Sequence, residues 1–289
     1  MISRSRLGFT LVELLVALVI FVMVAGSLYR VLNVSQRAAR TQTEQAAMQG
    51  TLRTGLQIAM SEISEIWTDQ PAATPTSAIT NMTATQLTYE AARGFGISCS
   101  APIATAMYLR KSTYSGVSYN LSAGGPAALQ GMYIFDEGAS DQTQNDDAWH
   151  DFTISNVTPG SCADGQPAWV VEVTSNIPAG VLATLKWPGP VRIHESTVLG
   201  LVAADGRNWL GIGTSGAGLT PLAGPLTTAG LSFSYRDASN AVTGNPNNVK
   251  SIVLKLYGEV DRAANQGLSG NVSLLSDSIT VRIQLRNGR

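Results

Sequence analysis

From Phe9 to Leu28 the chain is apolar except at Thr10, Glu13, Gly26 and Ser27. At about 1.5 Å rise per residue, a helix of this length spans roughly 30 Å, the hydrocarbon thickness of a bilayer. A short basic segment, Arg4 and Arg6, precedes it. Three ordinary readings compete for such a run. A secretory signal peptide places a small-x-small cleavage site after the apolar core, and none is clear here. A plain membrane anchor gives no reason for Glu13, since a carboxylate inside an apolar span must lie near an interface, be neutralised or be paired. A buried helix of a soluble protein is the third.

The stretch Gly8-Phe9-Thr10-Leu11-Val12-Glu13 resembles the processing motif of type IV pilins and type II secretion pseudopilins. The resemblance implies that a prepilin peptidase cuts after Gly8 and methylates the new N-terminal Phe9. It also identifies Glu13 with the glutamate that these families carry near the mature N-terminus. The physics agrees with that assignment. In a packed filament the amine of one subunit can meet Glu13 of a neighbour, and pairing offsets part of the cost of two charges in lipid. Arg4 and Arg6 favour a cytoplasmic leader, whereas Arg30, Arg37 and Arg40 follow the span, so charge counting leaves orientation open. The resemblance implies a cytoplasmic leader and a single-pass protein of the bacterial inner membrane. Its C-terminal domain then lies in the periplasm or outside, and the subunit joins a filament.

Past Leu28 the chain stays compatible with helix. Leu52, Leu56, Ala59, Met60, Ile63, Ile66 and Trp67 recur at steps of three and four and predict one buried face. Arg53, Gln57, Ser61, Glu62 and Glu65 are assigned to the opposite face, and Gln36 to Gln49 form a polar neck. Pro71 and Pro75 end the segment. The rest alternates with period two: Leu231-Phe233-Tyr235, Ile252-Leu254-Leu256 and Ile279-Val281-Ile283-Leu285 predict antiparallel strands with one wet face. Met132 to Phe135 and Trp169 to Val173 read as more buried strands. Val198 to Val202 and Trp209 to Ile212 read as a hairpin turning at Asp205-Gly206. Gly211 to Gly230, rich in glycine, proline and threonine, reads as loop.

The domain plan is a leader at 1–8, a long helix at 9–68 with its transmembrane part at 9–28, and a β-rich exported domain at 69–289. The fold class is α+β and pilin-like: a helix with a membrane half and an amphipathic half, the latter packed on a mostly antiparallel sheet. The ending Ser278 to Asn287 and the helix segment Leu52 to Ile66 are similar to the minor pilin W and minor pseudopilin J families.

Chemistry is sparse. With a net charge of −1 no basic face is obvious, which makes nucleic acid a poor partner. His150 and His194 are the two histidines, and neither has metal-ligand spacing. No nucleophile elbow, zinc-protease or phosphate-loop motif is present. Enzyme activity is therefore not expected. Cys99 and Cys162 form either one disulfide or two separate buried thiols. Asp136, Glu137, Asp141, Asp146 and Asp147 crowd one segment. They offer calcium the only cofactor reading, against the alternative of a solvated acidic loop.

The function implied is a minor pilin or pseudopilin that primes or caps a type IV pilus-like or type II secretion filament. The alternative is a pilin-anchored adhesin or ligand-binding module. The partners implied are the prepilin peptidase, other pilin or pseudopilin subunits, the inner-membrane assembly platform and membrane lipid.

Overall fold

A single helix, α1 (Leu11–Ser64), runs through 54 residues, about 80 Å at the standard rise. The computed structural model describes residues 10–64, 66, 78–116, 126, 130–138, 147–260 and 276–285. Trp67, Pro71 and Pro75 lie outside them. Every residue of α1 from Leu11 to Leu32 is exposed. Further along, Met48, Leu52, Gly55, Leu56, Ala59 and Ile63 are buried, at the steps of three and four that keep side chains on one stripe. Met60, predicted on that stripe, is 37% exposed because it sits one residue past Ala59 and turns off it. Glu62, predicted on the solvent face, instead turns to the sheet and pairs with Arg93.

The body is an antiparallel network. Its strands are β1 (Ile79–Met82), β2 (Gln86–Ile97), β3 (Ala106–Arg110), β4 (Ser115–Gly116), β5 (Gly131–Asp136), β6 (Ala148–Ser161) and β7 (Pro167–Val173). A short helix, α2 (Ala179–Thr184), precedes β8 (Pro190–Ala204), β9 (Arg207–Thr214), β10 (Thr220–Arg236), β11 (Ser251–Glu259) and β12 (Ser276–Gln284). The spatial order is β12-β11-β10-β9-β8-β5-β6-β7-β3, with β2 pairing β8, β1 and β4. Strand β8 organises this plan. One edge pairs with β2 from Pro190 to Gly200. The other edge is shared in succession, by β5 at Val191 to His194 and by β9 at Thr197 to Ala204.

The three alternating segments near the C-terminus form neighbouring strands, β10, β11 and β12, and β11 meets β12 in unbroken register from Ser251↔Gln284 to Glu259↔Ser276. Their inward residues Leu231, Phe233, Tyr235, Ile252, Leu254, Leu256 and Ile283 close on the α1 stripe. The β8–β9 hairpin turns at Asp205 (φ 52°) and Gly206 (φ 73°), the paired positive dihedrals that a two-residue hairpin requires. The segment expected to be loop, Gly211 to Gly230, instead holds the end of β9 and the first half of β10. Its breaker residues stand where the ladder is already interrupted. The β9–β10 register shifts between Pro221 and Ala223 and again between Ala223 and Leu226, and bulges tolerate proline and glycine that a regular ladder does not.

Among the described residues two large apolar cores result, beside a small cluster at Cys99, Cys162 and Ala168. The helix-packed core joins α1 to β1, β2 and β8–β12. The second gathers Met107, Leu109, Met132, Ile134, Phe152, Ile154, Val171, Val173, Val191 and Ile193, with Ile177 and Leu185 flanking α2. Glu44 lines a cavity with Arg207, near the end of β8, whereas Glu62 meets Arg93 opposite the start of β8. The second core therefore lies beyond the C-terminal end of α1, distal to the apolar half of the helix.

Two glycines of α1 test how tightly helix and sheet meet. A methyl on Gly50 touches nothing, while one on Gly55 falls on the Cβ of Ala223. Gly50→Ala should raise the melting temperature of the detergent-solubilised protein, as the helix gains about 1 kcal/mol. Gly55→Ala should lower it despite the same propensity gain, because overpacking costs about 1–3 kcal/mol. Circular dichroism melts of the two variants check the opposite signs.

Candidate functional site

The start of α1 is built as a reciprocal cap. The Thr10 backbone N–H and hydroxyl both donate to Glu13 Oε2, at 3.0 and 3.1 Å, and the Glu13 N–H donates to Thr10 Oγ1 at 3.3 Å. This is a capping box: each side chain satisfies a donor that the first helical turn leaves without a partner. Glu13 thus has a local partner inside the apolar run, where an unsatisfied polar group costs most. Thr10 caps the helix, a role that the motif reading passed over, although Thr-x-x-Glu ahead of an apolar run is a recognised helix start. Gly8 and Phe9 lie outside the described residues. The helix that follows is long and apolar enough to cross a membrane by length and composition, and its most apolar stretch is not buried by the body.

Cys99, just past β2, and Cys162, just past β6, are joined in a disulfide with Cα atoms 5.2 Å apart. Ala168 and Tyr108 pack on it. The Ala163 N–H donates to the Cys99 carbonyl at 3.3 Å and the Cys162 N–H to the Gln166 carbonyl at 2.8 Å. The bridge thereby ties the end of β2 to the β6–β7 turn.

Of the acidic segment, Asp136, Glu137 and Asp147 are described, while Asp141 and Asp146 lie outside the described residues. Asp136 is buried and already engaged. Its Oδ1 accepts from the Gly138 N–H at 3.0 Å, and its Oδ2 faces the Thr184 hydroxyl at 2.9 Å and His150 Nε2 at 3.2 Å. A calcium ion at this carboxylate would compete with all three. Among the described residues no three His, Cys, Asp or Glu side chains converge in a metal-binding group.

The pairing of β2 with β8 buries two polar clusters that the sequence reading missed. On the α1 side, Arg93 donates to Glu62 Oε2 at 2.8 Å and Thr197 Oγ1 at 2.9 Å, and lies 3.4 Å from Glu195. The Tyr89 hydroxyl also donates to Glu62, at 3.1 Å. On the opposite side, His194 Nδ1 meets Glu90 and Nε2 meets Asp151, each at 2.8 Å, and the ring stacks on Tyr133 at 4.2 Å. Burial alone would disfavour the cation. Hydrogen bonds to Asp151 and Glu90, with their charges, outweigh it and raise the His194 pKa to about 9. A histidine whose folded pKa is raised contributes stability fully below its unfolded value of about 6.5 and loses it as pH rises through about 9. The magnitude is about 3 kcal/mol. Neither cluster has a local signature, because the partners stand 31 and 104 residues apart.

Residues 3–29 match the family model of the prokaryotic N-terminal methylation motif. The match supports the type IV pilin-like or pseudopilin class, whose members are structural subunits, and implies prepilin peptidase processing and assembly with other pilin subunits. The apolar helix near the N-terminus fits the single-pass membrane anchor of prepilins. No curated protein and no solved structure matches the chain.

With the two cysteines 63 positions apart in the sequence, loss of the bridge should cost about 4 kcal/mol in the chain-entropy model. Protein recovered from an oxidising compartment should show no free thiol on denaturation without reductant. It should melt at lower temperature after reduction, as should Cys99→Ser with Cys162→Ser. Two titratable thiols before reduction would rule the bridge out.

Proposed function

We propose that this chain is a minor pilin or pseudopilin, a structural subunit that primes or caps a type IV pilus-like or type II secretion filament. One observation carries the reading. A continuous helix presents a bare apolar half headed by Glu13, and the body covers only its other half. A bare apolar half needs lipid or neighbouring helices around it, and a filament supplies the second when the subunit leaves the first. Prepilin peptidase, the inner-membrane assembly platform and fellow subunits are the partners this reading requires. The leader then faces the cytoplasm and the body the periplasm or exterior, an oxidising space that suits the Cys99–Cys162 bridge.

The minor role rests on shape. The distal core stands beyond the end of α1, so a copy stacked directly above would meet it. A subunit at or near the filament end meets no such obstacle. The alternative, a pilin-anchored adhesin, would use the same anchor to display a ligand site. A cavity of about 370 Å³ between β9, β10 and β11, lined by Arg207, Asn208, Thr228 and Glu259, lies at the end of the body nearer the apolar half of α1. That position is poorly placed for display at a tip.

Co-expression with a prepilin peptidase should remove residues 1–8 and add one methyl group to Phe9, read by intact-mass spectrometry. Gly8→Val should block the cut by preventing close approach of the backbone. An unchanged mass beside an active peptidase would overturn the reading.

Glu13→Ala separates insertion from assembly. The variant should enter the membrane fraction at least as well as wild type, since a charge has left the apolar run, and should still be cut after Gly8. Cross-linking to other pilin-like subunits should fall by tenfold or more, since removing one member of a buried pair costs about 3–5 kcal/mol. Wild-type cross-linking would turn the assignment toward the anchored adhesin.

A further inference from the structure

Along β8, alternate residues on one face belong first to the distal core, Val191 and Ile193, and later to the helix-packed core, Leu199. Between them stand Glu195 and Thr197, both buried. The two cores therefore sit in file on one sheet face, separated by polar side chains. The same level is polar on the other face too, because His194 precedes Glu195 and points the opposite way. At this level β2 also shifts register, between Ala92 and Gly94, and such irregularities are where strands bend.

Each face carries an ionic connection at this level. On the helix side, Arg93 of β2 links Glu62 of α1 to Glu195 of β8. On the other side the His194 ring lies across Gly131 of β5, where a Cβ would collide with it. It thereby joins Glu90 of β2 to Asp151 of β6 over the top of an intervening strand. The groups facing the ring are Glu90 from β2, Asp151 from β6 and the Tyr133 ring from β5. Arg192, on the same face of β8, lies over Trp149 at 4.4 Å.

We propose that this polar waist is a hinge between the helix-packed core and the distal core, held shut by the two ionic straps, one on each face. Apolar packing at a waist would resist opening in proportion to area. Ion pairs and hydrogen bonds depend on single partners, so loss of one loosens the joint as a unit. The distal strands β5 and β6 then open together, as a sub-global unit of lower stability than the strands under α1. The inference concerns the body alone and stands whether or not the chain enters a filament.

Hydrogen–deuterium exchange with mass spectrometry on the full chain in detergent tests it, comparing wild type with Glu62→Gln, His194→Gln and the double variant. In the double variant, peptides covering 131–136 and 148–154 should exchange about tenfold or more faster, while 231–235 and 252–256 keep their wild-type protection. In wild type, raising the pH from 7 to 10 should speed the distal peptides relative to the basal ones after correction for intrinsic exchange, and His194→Gln should abolish that step. Equal acceleration of both sets would show one cooperative unit and overturn the hinge, as would wild-type exchange of the distal peptides in the double variant. Should a variant fail to fold, the wild-type pH series decides alone: a constant ratio of distal to basal exchange between pH 7 and 10 overturns the proposal.

Discussion

The structure depends on how one helix divides its surroundings. From Leu11 to Leu32 no side chain of α1 is covered by the body, and from Met48 to Ile63 a single stripe is sealed by β10, β11 and β12. The same rigid element therefore answers to two solvents. Its first half is stable only where water is excluded by something outside the chain, lipid or other helices. Its second half is stable because the sheet removes its apolar stripe from water. Gly55 against Ala223 shows how close that seal is, since one methyl group would not fit. The helix holds the body at a set distance from its apolar half, so whatever grips the first half positions the second.

A body that only needed to cover the helix would stop at β8. This one continues past the end of α1 into a second core, and the transition is polar. The Glu62–Arg93–Glu195 cluster is buried, and buried ion pairs often stabilise less than apolar packing of the same volume. What they add is direction. Arg93 reaches the helix and both strands at once, which sets the height of α1 against the β2–β8 pair. His194 does the corresponding work on the other face, and its position over Gly131 ties β6 to β2 without direct pairing between them.

The parts of this fold that the sequence made legible are those decided by neighbours along the chain. The apolar run and the Asp205-Gly206 turn show directly in local composition, and the stripe from Leu52 to Ile66 and the alternation in β10 to β12 show in windows of a few residues because one face of each of those elements is wet. The first half of β10 was hidden by Pro221, Gly224 and Pro225, which read as breakers until the register shifts that accommodate them are seen. Strands β2 and β6 were hidden for a different reason. The buried positions of β2 include Thr88, Ala91, Arg93 and Gly96, so its pattern is apolar only once Arg93 finds Glu62. The straps at the waist were illegible in principle, since a lone Glu62 on a helix reads as a solvent residue until its partner 31 positions away is placed.

The polar waist also bears on how the two halves of the body can differ in their demands. The helix-packed core must keep its volume, because the α1 stripe and the inward residues of β10 to β12 interlock and a single added methyl at Gly55 is felt. The distal core shares strand β8 with it, through Val191 and Ile193, and draws its other apolar residues from β3, β5, β6, β7 and the flanks of α2, while the Cys99–Cys162 bridge ties the end of β2 to the β6–β7 turn. Where the two cores meet on the α1 face of the sheet, Glu62, Arg93 and Glu195 tie the helix to β2 and β8. The interlocked volume near α1 and the apolar volume beyond it thus meet on β8 at Glu195 and Thr197 rather than through one continuous apolar core.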